Sequence, residues 1–140
     1  MRRLWPALLL FLAACAPRVQ PPAYPPAQAG PGVLVVRNAE GAILLNGELG
    51  LAAPPGSTLL FQRYRGVRSQ SRFTAPQAFD RMLLWLRQAL KELGWRVVRL
   101  ELLEEPPRLF QARLVLKKGD DRRSVRLVYR SGVYTLEVAP

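Results

Sequence analysis

The clearest pattern in the chain is a helical stripe. Phe79, Met82, Leu83, Leu86, Leu90 and Leu93 recur at three- and four-residue intervals, and at 100° per residue they fall within a band about 100° wide. Thr74 is a suitable N-cap, Pro76 fits a first turn, Asp80 complements the positive end of a helix dipole and Gly94 is a stop signal. The spacing therefore predicts a helix from Ala75 or Pro76 to Leu93. Trp85 lies at the margin of the stripe and Leu84 well outside it, which marks this pair as a candidate contact for a protein partner.

Beyond Gly94 the period changes from 3.6 to two. Trp95 to Leu103, Leu109 to Lys117, Arg123 to Arg130 and Val133 to Val138 alternate between apolar and polar residues. They are separated by Glu104-Glu105-Pro106-Pro107, Gly119-Asp120-Asp121 and Ser131-Gly132, connections short enough to make antiparallel neighbours. A four-strand meander follows. Its buried face is predicted from Val98, Leu100 and Leu102, then Ala112, Leu114 and Leu116, then Val125, Leu127 and Tyr129, and finally Tyr134, Leu136 and Val138. The helix should lie across that face.

Before the helix the pattern is weaker. Val33 to Arg37 and Ala42 to Leu45 flank Asn38-Ala39-Glu40-Gly41 and predict a hairpin. Thr58 to Arg65 reads as a strand with Leu60, Gln62 and Tyr64 opposite Leu59, Phe61 and Arg63, a division that does not say which side is buried. Residues 33–140 are thus expected to form a single α+β domain. The architecture is a two-layer sandwich with one main helix packed on an antiparallel sheet, in the order β-hairpin, β, α and four-strand meander. Residues 16–32 hold six prolines in 17 residues and almost no core-forming group. They are expected to act as an extended tether, which at ~3.1 Å per residue reaches about 50 Å.

Composition removes whole chemistries. The 140 residues carry a formal charge of +11 and include no histidine and one cysteine. Imidazole catalysis, Cys/His zinc sites and internal disulfides are excluded. The serines at 57, 69, 71, 124 and 131 have no histidine base and no nucleophile-elbow glycines. Glu104-Glu105 and Asp120-Asp121 are adjacent acids in turns, where neighbouring side chains diverge. Four cations, Lys117, Lys118, Arg122 and Arg123, flank the aspartates and disfavour a metal. No catalytic residue, metal site or cofactor is expected.

The positive charge is patterned. Alternation puts Arg99, Arg113, Lys117, Arg126 and Arg130 on the outward face of the meander, where Glu101 and Glu137 are the accompanying carboxylates. Arg63, Arg65, Arg68 and Arg72 make a second basic stretch, with four arginines in ten residues, read as an exposed loop. Both are candidate anion-binding groups, because guanidinium forks match phosphate and carboxylate geometry. A solvated sheet face with cross-strand Arg–Glu pairs is the plainer alternative.

The first 15 residues add a destination. Arg2 and Arg3 precede the apolar run Leu4 to Leu12, and small Ala13 and Ala14 lead into Cys15. A run of about nine residues is too short to span a bilayer and reads as a signal-peptide core. Leu12-Ala13-Ala14-Cys15 resembles the lipobox of bacterial lipoproteins. The resemblance implies that residues 1–14 are removed, that Cys15 is diacylated, and that residues 15–32 tether the domain to the extracytoplasmic side of a membrane. It also implies an outer membrane facing the periplasm where the cell has one, since Ala16 and not aspartate follows the cysteine. The order of elements, with Leu93-Gly94-Trp95 closing the helix, is similar to small α+β modules of envelope lipoproteins. Of the charged side chains, cleavage removes only Arg2 and Arg3, so the basic character belongs to the domain.

These features together imply a noncatalytic, lipid-anchored envelope protein that acts as a binding or accessory subunit of an envelope assembly. The alternative is direct binding of an anionic lipid or envelope polymer by the arginine-rich face. Export makes nucleic acid an unsuitable partner.

Overall fold

The computed structural model of the chain describes residues 25–105 and 109–140. The expected signal peptide, the Cys15 acylation site and the first part of the tether lie outside the described residues. The described elements are β1 (Gln28–Ala29), β2 (Leu44–Asn46), β3 (Leu51–Ala52), β4 (Thr58–Arg65), β5 (Arg68–Thr74), α1 (Phe79–Glu92), β6 (Arg96–Glu105), β7 (Leu109–Lys118), β8 (Asp121–Arg130) and β9 (Val133–Ala139). They form one helix packed on a mixed seven-stranded sheet of order β1-β4-β5-β9-β8-β7-β6, with β2 and β3 paired separately.

The C-terminal half follows the period-two pattern closely. β6, β7, β8 and β9 pair consecutively and antiparallel. Ala112, Leu114, Leu116, Val125, Leu127, Tyr134, Leu136 and Val138 are buried. The edge strand departs from it, because a bulge between Val97 and Arg99 turns Val97 inward and leaves Val98 exposed. Leu102, expected in the core, is 64% exposed. It keeps the inward register, but it lies beside the first residues of α1, where the helix no longer covers the sheet.

The helix is shorter than the stripe predicts. Thr74 is not its N-cap, since it pairs with Thr58 as the last residue of β5 and its backbone is committed to the ladder. α1 starts after the extended Ala78 with no side-chain cap, and Asp80 sits in its first turn. Met82, Leu83, Leu86 and Leu90 are buried, with Phe79 and Leu93 packed at the ends of the stripe. At the C-terminus Gly94 takes φ 90°, and Lys118 Nζ donates to the Leu93 carbonyl at 2.9 Å. A Cβ at position 94 would lie 3.2 Å from Lys118 Cε, so glycine serves both the turn and the cap.

Before the helix three expectations change. Residues 63–72 are not a loop. They complete β4 and form β5, a hairpin turning at Gly66 with φ 60°. The expected hairpin over residues 33–45 shrinks to an Asn38 turn closed by one bridge, Arg37 to Ile43, because β2 pairs with β3 instead. Finally, β1 lies inside the stretch read as tether and runs parallel to β4, Gln28 beside Thr58, so the sheet is not purely antiparallel.

The β2–β3 unit is a lid over the inward side of β4 and β5, held by polar groups. Asn46 Nδ2 donates to Ser69 Oγ at 2.6 Å, while Asn46 Oδ1 accepts the Leu49 N–H at 2.7 Å. Ser71 Oγ donates to the Leu45 carbonyl, Gln62 Nε2 to the Leu44 and Leu45 carbonyls, and the Gly47 N–H to Tyr64 Oη. Buried polar groups are tolerated when each finds a partner. Ile43, Leu45, Leu49 and Leu51 then join Phe73 and the meander residues in one apolar core.

Asn46→Ala would leave the Leu49 N–H and the Ser69 hydroxyl without their partner in a dry interior. It should lower stability by about 1–3 kcal/mol in urea unfolding, with an unchanged slope. Tyr134 gives a second expectation. It is buried and donates its hydroxyl to the Gln77 carbonyl at 2.6 Å, and burial, followed by the nearby Tyr129 and Asp80, pushes its pKa well above the ordinary value of 10.0. The phenol stays neutral in the folded chain while the unfolded chain ionises. Stability should be at its full value below pH 10 and fall as pH rises beyond it. Tyr134→Phe should flatten that alkaline decline.

Candidate anion-binding face

Strand alternation divides the sheet into a covered inner face and an outer face on which no described element packs. Every cation read from the sequence as a candidate for anion binding lies on the outer one. In β5, inward Ser69, Ser71 and Phe73 alternate with outward Arg68, Gln70 and Arg72. In β4, Arg63 and Arg65 stand opposite Gln70 and Arg68 and share their side. In the meander, Arg99, Arg113, Lys117, Arg126 and Arg130 alternate with the buried residues of their strands. The two basic segments, separate in the chain, occupy one surface because β5 pairs with β9.

The middle of that surface is a row across six strands. Glu101 stands opposite Arg113, Arg113 opposite Arg126, Arg126 opposite Glu137, Glu137 opposite Gln70, and Gln70 opposite Arg63. At ~4.8 Å between strands the row is about 24 Å long. Glu137 is its hub. Arg126 Nη2 donates to both Glu137 oxygens at 2.7 Å, and Gln70 Nε2 donates to Glu137 Oε1 at 3.3 Å. Arg63 Nη2 donates in turn to Gln70 Oε1 at 3.2 Å. At the β6 edge Arg99 pairs with Glu101 at 2.5 Å.

Much of the positive charge is left over. Among the described residues, Arg65, Arg68, Arg113, Lys117 and Arg130 form no ion pair. Arg113 stands directly opposite Arg126, and Arg65 opposite Arg68, placements that disfavour the unliganded sheet and favour an anion between them. Arg96 and Arg122 flank Lys117 in register and extend the surface. Two shallow depressions lie on either side of Glu137. One, about 220 Å³, is lined by Arg63, Arg65, Arg68 and Gln70; the other, about 290 Å³, by Arg113, Ser124 and Arg126.

An aromatic residue belongs to this face as well. Phe61 is exposed, and the guanidinium groups of Arg72 and Arg63 lie over its ring at 5.7 and 6.0 Å from the centroid. Tyr64, the aromatic residue among the arginines in the sequence, points to the other side and binds the lid. Phe61, Gln70, Arg96 and Arg122 were missed from sequence. The alternation of Arg68, Gln70 and Arg72 was the available signal, obscured because the intervening buried positions are serines.

The other candidates lie elsewhere. Leu84 is 58% exposed on α1, beside Trp95 and Val97, whereas Trp85 is half-buried against the core and presents little free surface. Ser69 and Ser71 are occupied in the lid contacts. Lys118 caps α1, and Arg123 pairs with Glu48 and lies over Trp95, so these two cations serve the fold. Among the described residues no helix is long and apolar enough to cross a membrane. Comparison with protein-family models, with curated proteins and with solved structures found no match for the chain.

Glu137→Gln removes the negative charge from the centre of the row. The pair it breaks is partly exposed, so the loss of stability should be modest, about 1 kcal/mol or less. Affinity for a soluble polyphosphate, followed by isothermal titration calorimetry, should rise as the unpaired Arg126 becomes available.

Proposed function

We propose that the chain is a noncatalytic binding protein whose basic sheet face docks on a phosphate-bearing anionic surface of the cell envelope. The observation that carries this reading is the gathering of both basic segments on one open face with unpaired guanidinium groups. Arginine forks take phosphate oxygens two at a time, which suits a surface of repeated phosphate groups. The shallowness of the depressions suits an extended polyanion better than an enclosed small molecule. Each basic side chain near an anionic bilayer contributes about 1 kcal/mol, so the leftover cations suffice for docking.

The lipobox resemblance supports the same reading. With Cys15 acylated, two or more chains would hold the protein stably on its membrane. The stretch from Cys15 to β1 at Gln28 has length for about 40 Å in an extended polyproline conformation. That is shorter than residues 15–32 would allow, yet long enough for the basic face to lie down on the membrane carrying the anchor. In this arrangement the anchor supplies residence and the sheet face supplies orientation, and any accessory role in an envelope assembly follows from that orientation.

The test uses the Cys15→Ser chain, so that acylation does not mask headgroup binding. Co-sedimentation with anionic phospholipid vesicles should exceed that with zwitterionic vesicles, and affinity should fall on the order of tenfold or more between 0.1 and 0.5 M salt. Arg113→Glu, Arg126→Glu and Arg130→Glu combined should abolish it while circular dichroism stays native. A soluble polyphosphate that competes fully would make phosphate the recognised group. Retention on vesicles despite that competitor would make the bilayer itself the target. Equal binding to neutral vesicles, or indifference to salt, would overturn the proposal.

A further inference from the structure

β6 stands at the edge of the sheet with ten residues and one side of its backbone unpaired among the described residues, whereas β1 at the other edge has two. Long edges with apolar side chains invite pairing with another chain. On β6, Val98 is 44%, Leu102 64% and Leu103 48% exposed. Leu102 and Leu103 also open onto an apolar groove of about 580 Å³ with Phe79, Phe110 and Tyr129. The edge is therefore sticky, and its sequence says for what.

Val98-Arg99-Leu100-Glu101-Leu102 is its own complement when read antiparallel about Leu100. Arg99 of one copy falls opposite Glu101 of the other, twice. Leu100 falls opposite itself, and Leu102 of each copy reaches the bulged Val98 at the end of the other's regular stretch. Directly opposed residues in an antiparallel pair share a face, and the existing register satisfies that condition. Arg99 and Glu101 are on the outer face, opposite Val115 and Arg113, while Leu100 and Leu102 are on the inner face, opposite Leu114 and Ala112. The bulge at Val97 and Arg99 ends the regular stretch and sets where pairing stops.

We infer that β6 docks on β6 of a second copy, with Leu100 on the two-fold axis, making one continuous sheet from two chains. Arg99 and Glu101, which pair within the single chain at 70% and 47% exposure, exchange partners across the seam. Opposite charges directly across strands stabilise, and like charges there destabilise, by comparable amounts. On the inner side Leu100 and Leu102 of the two copies cover one another. α1 lies against β6 and places the exposed Leu84 beside Trp95 and Val97, next to the start of that edge. The two basic outer faces become one, but the pairing does not depend on what they bind.

The experiment is a charge exchange followed by sedimentation equilibrium of the full Cys15→Ser chain at 0.5 M salt, where anion-mediated bridging is suppressed. The unaltered pair should dimerise. Arg99→Glu alone and Glu101→Arg alone should each weaken the dimer at least tenfold, since each places like charges opposite. An equimolar mixture of these two single variants should recover a heterodimer, and the double variant Arg99→Glu, Glu101→Arg should recover a homodimer. Both positions are solvent-exposed, so the variants keep the fold, which circular dichroism checks. A monomeric starting chain at 100 µM, single variants that dimerise undiminished, or a mixture that stays monomeric would each overturn the inference. None of these outcomes bears on vesicle binding by the outer face.

Discussion

The pairing of β5 with β9 is the contact on which the rest of the structure depends. It joins residues such as Gln70 and Glu137, 67 positions apart along the chain, and it makes one sheet out of an N-terminal hairpin and a C-terminal meander. Without it β4 and β5 would be an isolated hairpin, which is marginal in water. With it, Phe73 stacks on Tyr134 at 5.5 Å inside the core, and Arg72 comes level with Thr135 on the outside. The same ladder thus completes the apolar interior and assembles the basic exterior.

The two faces are held by different physics. Under α1 the contact is apolar, from Met82, Leu86 and Leu90 against the meander. Under the β2–β3 lid it is mixed, because Ser69, Ser71, Gln62 and Asn46 satisfy the turn backbone that descends on them. Such a lid gains direction from hydrogen bonds that an oily contact would not supply. On the outer face, charge is arranged around Glu137, which neutralises the centre and leaves the flanking guanidinium groups free to act together.

The edge and the face solve related problems. A chain with a formal charge of +11 repels its own copies in solution, and β6 is the place where both charges alternate on one strand. Arg99 and Glu101 make that edge locally neutral and specific. The bulge near Val98 confines pairing to a short stretch, one of the devices by which exposed edges avoid indiscriminate association.

Local pattern determined a good deal of this. The helical stripe, the stop at Gly94 and the four C-terminal strands follow from periodicity and turn residues, because each is specified within a few neighbours. The outward cations of the meander were legible for the same reason. β5 was not, since its buried positions are two serines and one phenylalanine, and serine is a core residue only when another segment brings a carbonyl or an amide to it. Thr74 looked like a cap until strand pairing claimed its backbone. Leu102 looked buried until the length and placement of α1 left it open. Which segments became neighbours was decided by long-range packing: the union of Arg63, Arg65, Arg68 and Arg72 with Arg113 and Arg126 exists only once β5 lies on β9, and no local sequence window contains both halves of that ladder.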